Sequence, residues 1–226
     1  MSVGNDSPVS PPAPHPSPVT GVILAGGAAS RYGGRPKGLE RVGGARIVDR
    51  VAGALREAAD ALLMIANDPA ASAWLPGVRV ATDVRPGLGS LGGIHAALAR
   101  AGGPALVVAW DMPFVPVTLL AALRRAGDQG ADVAVPVSDS RRGVEPLCAY
   151  YSPRCLAPIE RQLDGGDLRV VGFFDDDTLR VERLDASAFG DPRVLFMNVN
   201  SPEELTLAER HASTPDGRRH WQEAQW

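Results

Sequence analysis

Three cationic side chains follow a glycine-rich turn near the start of the chain, at a spacing that suits the binding of a polyanion. The turn comes directly after the apolar run Gly21-Val22-Ile23-Leu24, and the cations are Arg31, Arg35 and Lys37. Its glycines are Gly26, Gly27, Gly33 and Gly34. Glycine lets backbone N–H groups converge on a phosphate, and nearby cations balance the charge that the amides leave. The stretch indicates a nucleoside triphosphate site; taken alone, it also fits a glycine-rich surface turn with unrelated arginines.

The turn does not match the sequence patterns of the two better-known phosphate-binding loops. The sequence lacks a GxxxxGK[ST] loop here, because Lys37 is followed by Gly38 and lies ten residues after Gly27. It also lacks a dinucleotide-binding GxGxxG, because the glycines form two adjacent pairs. The rest of the chain must therefore decide between a nucleotide site and a surface turn.

Asp111 is the acidic residue best placed to hold a metal ion. It follows the strongly apolar run 105–109 and Trp110, so its carboxylate is expected at the end of a buried strand. Mg²⁺ takes one or two protein carboxylates together with phosphate oxygens and water. The spacing alone fits two roles for Asp111 equally well: a ligand of Mg²⁺, or a turn or helix cap before Met112-Pro113.

Asp83 is a candidate for reading the base of the nucleotide. Guanine presents two donors, N1–H and the N2 amine, which one carboxylate accepts together, whereas cytosine lacks that pair. Gly89 and Gly93 would let the backbone approach the base or ribose closely. The alternatives are a turn role for Asp83 in Asp-Val-Arg-Pro-Gly and a tight helix entry for the glycines.

The elements that must position these residues alternate regularly along the first part of the chain. Apolar runs of strand length and helical faces of period 3.6 predict a three-layer α/β domain with a mostly parallel sheet. Strands are predicted over 61–66, 78–81, 105–109, 132–137, 146–151, 179–184 and 194–199, and helices over 46–59, 91–100 and 118–126, after Ser152 and after Ser201. Gly26, Asn67, Asp83 and Asp111 would all stand at carboxyl ends of strands, where open α/β sheets bind ligands.

Composition limits the class of protein. The 226 residues are 45% hydrophobic and 22% charged, which suits one compact domain, expected over 19–212. A net charge of −3 argues against nucleic acid and acidic membranes as partners. No run of 18 apolar residues predicts a membrane helix. Residues 1–18 are rich in proline and predicted to be disordered, without the pattern of a signal peptide, and 213–226 form a polar tail.

Cysteine usage agrees with a reducing compartment. Cys148 and Cys155 lie seven residues apart, without the spacing of a metal site or a redox motif. They are expected to be reduced, partly buried thiols of a cytoplasmic protein.

A resemblance to a known family joins these observations. The pattern L-A-G-G-x3-R-x-G-G-x2-K, from Leu24 to Lys37, resembles the signature loop of nucleotidyltransferases, and among them most closely the molybdenum cofactor guanylyltransferases. Further short motifs follow in the family's order over roughly residues 20–210: Asn67, Asp83, Gly89-Ser90-Leu91-Gly92-Gly93, Asp111-Met112-Pro113, Glu145-Pro146-Leu147 and Asn198-Val199-Asn200-Ser201-Pro202-Glu203-Glu204.

The resemblance implies a Rossmann-like fold and a Mg²⁺-dependent transfer of GMP from GTP to the phosphate of molybdopterin, with release of pyrophosphate. It implies catalytic roles for Arg31, Lys37 and Asp111, GTP binding by Leu24, Ala25, Gly26, Gly27, Lys37, Asn67, Asp83, Gly89, Gly93 and Asp111, and molybdopterin binding by Arg169, Asn198 and Asn200. As protein partners it implies molybdopterin-insertion proteins or molybdoenzyme apoproteins.

Two alternatives stay open on the sequence. The cytidylyltransferases that act on the same pterin usually carry L-A-A-G where this chain has Leu24-Ala25-Gly26-Gly27, which favours GTP. A carrier that binds nucleotide or pterin without catalysis would not need both Asp111 and Lys37. The chain also departs from the family pattern at Ala29, Tyr32 and Trp110, the last of which replaces a smaller residue before the metal-site aspartate.

Overall fold

A computed structural model describes residues 17–26, 31–32 and 35–214, with the backbone alone at positions 31, 32 and 35. The predictions made for Gly27, for the side chains of Arg31 and Arg35, and for residues 1–16 and 215–226 lie outside the described residues. None of the helices in the described ranges is long and apolar enough to cross a membrane.

A seven-stranded sheet forms the centre of the fold. Its strands are β1 (Thr20–Leu24), β2 (Ala61–Ile65), β3 (Arg79–Ala81), β4 (Ala105–Ala109), β5 (Val133–Pro136), β6 (Cys148–Tyr151) and β7 (Val181–Leu184). They lie in the order β7-β5-β6-β4-β1-β2-β3. Strand β6 runs antiparallel to both of its neighbours, and the other adjacent pairs are parallel. The predicted α/β class with a mostly parallel sheet is confirmed.

Helices cover both faces of the sheet. They are α1 (Ile47–Ala58), α2 (Gly89–Ala101), α3 (Val117–Asp128), α4 (Leu156–Asp164), α5 (Pro192–Leu195) and α6 (Pro202–Ala212). Apolar residues of α1, α3 and α6 share one buried cluster, and those of α2 and α4 share the other. Two short antiparallel pairs, Arg31–Tyr32 with Arg35–Pro36 and Arg41–Val42 with Ala45–Arg46, precede α1. The three predicted layers are therefore present.

Burial on both faces explains why the central strands were predictable. All five residues of β4 are buried, and its bounds agree with the prediction. Val107 contributes to the cluster under α2 and α4, whereas Leu106 and Val108 contribute to the opposite cluster. A strand covered on both faces reads as a continuous apolar run, which is the signal that the sequence carries here.

The predicted strand over 194–199 is wrong. Asp191 caps the short helix α5 by accepting a hydrogen bond from the backbone N–H of Arg193 at 3.0 Å, and Pro192 occupies its first position. An aspartate followed by proline is a helix-start signal that outweighed the apolar residues downstream. Residues 198–200 consequently cross the carboxyl end of β4 as irregular chain, with the N–H of Val199 donating to the carbonyl of Asp111 at 3.0 Å.

The buried side chain of Asp132 ties the edge strand β7 to the rest of the sheet. One carboxylate oxygen accepts a hydrogen bond from the Ser152 hydroxyl at 2.8 Å, and the other accepts the N–H of Arg180 at 3.0 Å. Ser152 in turn caps the 3-10 turn Pro153–Cys155 that leads into α4. One carboxylate thus satisfies donors from two separate elements.

We expect Asp132→Ala to lower the free energy of unfolding by about 3 kcal/mol, because it leaves two donors without their charged acceptor. Urea unfolding followed by circular dichroism measures this loss. Asp185→Ala, which removes an exposed cap accepting from Ser187 N–H at 2.9 Å, is the matched control and should cost much less. Equal losses for the two variants would contradict the structural role given to Asp132.

Candidate active site

A cavity of about 540 Å³ opens at the carboxyl ends of β1, β2 and β4. Leu24 pairs with Ile65 on one side and with Ala109 on the other, so the residues that follow these three strands meet at one edge. The cavity is lined by nine of the residues predicted to bind the nucleotide: Leu24, Ala25, Gly26, Lys37, Asn67, Asp83, Gly89, Gly93 and Asp111. Residues from widely separated parts of the sequence therefore share one site.

A buried ion pair lies in this cavity. The Nζ atom of Lys37 is 2.5 Å from Oδ2 of Asp111, and the two side chains are only 8% and 9% exposed. Nζ also donates to Oδ1 of Asn200 at 2.5 Å. An ammonium group has three N–H donors, so among the described residues these contacts leave one for a ligand. The arrangement places a paired ammonium and carboxylate at the cavity.

The backbone around Asp111 is held from three sides. Strand β1 fixes the residue before it, because Trp110 N–H donates to the carbonyl of Leu24 at 3.1 Å. Ala109 N–H donates to the carbonyl of Leu147 at 2.8 Å, and the carbonyl of Asp111 itself accepts from Val199. The backbone position of Asp111 is thus set by three neighbouring elements.

Trp110 explains why the residue after Lys37 is a glycine. Its ring is buried and stacks on Trp74 with centroids 4.9 Å apart. A Cβ atom at Gly38 would lie 2.3 Å from ring atom Cε3 of Trp110, closer than any non-bonded contact allows. The larger residue at this departure from the family pattern therefore packs beneath the turn Lys37–Leu39 and supports it from the core side.

Asn67 and Asp83 form a reciprocal pair on the opposite side of the cavity. Asn67 Nδ2 donates to Oδ2 of Asp83 at 2.7 Å, and the N–H of Asp83 donates to Oδ1 of Asn67 at 3.0 Å. These contacts fix the orientation of both side chains. A carboxylate oxygen has two lone-pair sites, so Asp83 keeps acceptor capacity for a ligand.

The three residues predicted to contact molybdopterin do not lie together. Asn198 lines the cavity, and Asn200 lies beside it through its contact with Lys37, so a role of both in binding molybdopterin stays a prediction. Arg169 does not line the cavity; its side chain is 77% exposed and pairs with Asp167 at 2.7 Å. The hydrogen bonds from Arg169 lower the pKa of the Asp167 carboxyl.

Glu145 is a buried acid near the site. The sequence patterns assign no separate role to it, because it appears only as part of the motif Glu145-Pro146-Leu147. Its side chain accepts a hydrogen bond from the N–H of Leu147 at 3.1 Å, and Leu147 lines the cavity. Burial raises the pKa of the Glu145 carboxyl, and the negative charge of Asp111 adds to this, although the hydrogen bond and Arg142 act against it. The signal that could have pointed to Glu145 was a glutamate followed by Pro-Leu and then by a buried strand.

Comparisons with known proteins agree with this geometry. Residues 21–178 match the family described as the MobA-like NTP transferase domain. The molybdenum cofactor guanylyltransferase of Desulfosudis oleivorans is 37% identical over 195 residues, covering 84% of this chain and 94% of that protein. The enzyme of the same name from Cupriavidus necator is 33% identical over 197 residues, covering 84% and 96%. The crystal structure of molybdopterin-guanine dinucleotide biosynthesis protein A from Archaeoglobus fulgidus superposes with a TM-score of 0.69 at 27% identity, covering 86% of this chain and 98% of that one.

The sheet, the glycine turn and the polar edge define a nucleotidyltransferase. Within that class, the extent of the match shows that the chain belongs to the MobA-like NTP transferase family, and its curated relatives carry the name molybdenum cofactor guanylyltransferase. The resemblance derived from the signature loop is confirmed.

We expect Gly38→Ala to destabilise the protein by about 1–3 kcal/mol, because the added methyl group must displace the Trp110 ring or the Lys37 turn. Urea unfolding gives the loss, and nucleotide affinity should fall with it. Gly103→Ala is the control, since a Cβ there meets only a carbonyl oxygen at 3.5 Å. If both variants were equally stable, Trp110 would not constrain the turn.

Proposed function

We propose that this chain transfers GMP from GTP to the phosphate of molybdopterin, forming molybdopterin guanine dinucleotide and pyrophosphate. The observation that carries the proposal is the buried pair of Lys37 and Asp111 in a cavity whose other side presents Asn67 and Asp83. A cation and a metal-binding acid suit a triphosphate, and a paired carboxylate suits guanine. The names of the curated relatives support the same substrates.

The donor set fits Mg²⁺. Asp111 and Asn198 line the same cavity and carry a carboxylate and an amide oxygen, and Mg²⁺ prefers a few such oxygens with the remaining positions left to phosphate and water. When bound, the ion would supply positive charge that offsets part of the charge of the triphosphate. Asp111 is the residue that would hold it.

Lys37 would stabilise the charge that develops at the α-phosphate. An oxygen of the pterin phosphate attacks the α-phosphorus and forms the new P–O bond, while the bond from the α-phosphorus to the bridging oxygen of pyrophosphate breaks. The attacking group is already an anion, so no side chain has to remove a proton. The protein contributes position and electrostatic stabilisation, which the Lys37 ammonium and the backbone amides of the glycine turn supply, together with Arg31.

Asp83 would select guanine, and Asn67 would hold the Asp83 carboxylate in place. The two carboxylate oxygens of Asp83 favour a base with two adjacent donors and leave cytosine without that match. We extend the proposal to a cytoplasmic enzyme that passes its product to a molybdopterin-insertion protein or a molybdoenzyme apoprotein.

We expect Asp111→Asn to lower the rate of pyrophosphate release from GTP and molybdopterin by at least about a hundredfold, because the metal loses its charged ligand. The asparagine oxygen still accepts a hydrogen bond from Lys37, so the variant should remain folded by circular dichroism. Asp185→Asn is the surface control. An unchanged rate would remove Asp111 from the metal site, and a wild-type protein that binds GTP without releasing pyrophosphate would favour the carrier alternative.

In calorimetric titrations with Mg²⁺, GTP should bind more tightly than CTP or ATP. Asp83→Asn should reduce the preference for GTP over CTP by about tenfold, since an amide presents only one acceptor to the two guanine donors. Tighter binding of CTP than of GTP by the wild type would reverse the base assignment.

A further inference from the structure

The ammonium of Lys37 is held by a residue that itself lacks regular secondary structure. Asn200 lies in irregular chain immediately before helix α6, and the residue is exposed, yet its Oδ1 accepts from Lys37 Nζ at 2.5 Å. The position of the Asn200 side chain, and with it this contact, depends on where the backbone of Asn200 is held.

The carboxylate of Glu204, in the first turn of α6, provides that fixation. Its Oε2 accepts the backbone N–H of Asn200 at 2.6 Å, while its own N–H donates to the Ser201 hydroxyl at 3.2 Å. In an ordinary capping box the glutamate returns to the N–H of the cap residue. Here it reaches one residue further back, to the residue that contacts Lys37.

Helix capping alone does not account for this hydrogen bond. The backbone N–H groups that a helix leaves unsatisfied belong to its first residues, whereas Asn200 precedes the cap residue Ser201. The neighbouring N–H, that of Val199, donates to the carbonyl of Asp111. Two consecutive amides therefore connect α6 to the ion pair, one through Glu204 and the other through Asp111.

We propose that Glu204 is a positioning residue for the nucleotidyl transfer: its carboxylate fixes Asn200, and Asn200 directs the Lys37 ammonium towards Asp111 and the triphosphate. Glu204 is not among the residues that line the cavity, and it acts through Asn200. The inference rests on the proposed function for the reaction it supports.

The composition of the chain allows the position of the Lys37 ammonium to be tested by chemical modification. The chain has 23 Lys and Arg residues, of which Lys37 is the only lysine and the other 22 are arginines. An amine-acylating reagent such as an acetyl succinimidyl ester therefore has one side-chain target, and mass spectrometry separates it from the N-terminal amine. The acylation rate reports directly how well Lys37 is held.

The experiment compares Glu204→Ala, Glu204→Gln and Ser201→Ala in the full chain. Ser201→Ala is the matched control, because it removes the other half of the same helix start while leaving the bond between Glu204 and Asn200. Glu204→Gln keeps an oxygen that accepts from Asn200. Acylation of Lys37, pyrophosphate release and urea stability are measured for each variant.

We expect Glu204→Ala to acylate Lys37 severalfold faster than the wild type and to lower kcat/KM for GTP by about tenfold or more, since small displacements of a charged group have large effects on transfer. Glu204→Gln should restore both values most of the way. Ser201→Ala should lose stability without either change. If Ser201→Ala and Glu204→Ala changed acylation and kcat/KM equally, Glu204 would be only a helix cap and the proposal would fail.

A second comparison separates this inference from the proposed function. In a Lys37→Met background, Glu204→Ala should cause little further loss of kcat/KM, because both changes act through the same ammonium; a full additional loss would contradict the proposal. If the wild type released no pyrophosphate from GTP and molybdopterin, the proposed reaction would be wrong, and the acylation rates would still decide the role of Glu204.

Discussion

The contact between Lys37 and Asp111 is the interaction on which the arrangement of this site depends. It brings together the end of the glycine turn and the end of β4, which are 74 residues apart in the sequence. Burying two charges costs solvation free energy that their attraction only partly offsets, so such a pair contributes more to position than to stability. Each partner also has an obvious counterpart in a metal-bound triphosphate: oxygen anions for the ammonium, a cation for the carboxylate. Within the site, the ammonium and the carboxylate balance each other's charge.

The sheet supplies the rigid frame for that pair. Parallel pairing of β1 with β2 and β4 places three carboxyl ends side by side, so residues that follow the strands closely, such as Asn67 and Asp111, reach the same edge. The antiparallel strand β6 then brings Glu145 and Leu147 to the same edge, because a reversed strand begins where its neighbours end. Helix α6 closes the arrangement from the far end of the chain through Asn200.

The sequence predicts the frame well because its signals are local. Strand β4 is a continuous apolar run, and the residues at strand ends can be placed by counting. Over 194–199 two local signals compete. The apolar pattern favours a strand, but the helix start at Asp191-Pro192 favours a helix, and the helix forms. The bond from Lys37 to Asn200, across 163 positions, has no local signal at all. Glu145 and Glu204 were visible only as parts of motifs, since their partners are set by tertiary structure, and Gly27 and the Arg31 side chain lie outside the described residues.

The choice of lysine at position 37 follows from the same geometry. In a chain that otherwise uses arginine for its basic residues, a simple compositional bias would have put arginine here as well. A guanidinium is planar and offers its donors in a fixed fork, which suits one flat acceptor. The acceptors at this point are a carboxylate and an amide from different elements, each 2.5 Å from a single nitrogen, with Trp110 packed against the next residue. A compact ammonium with three rotatable donors meets both and keeps one donor for phosphate, and a larger planar group would have to separate them.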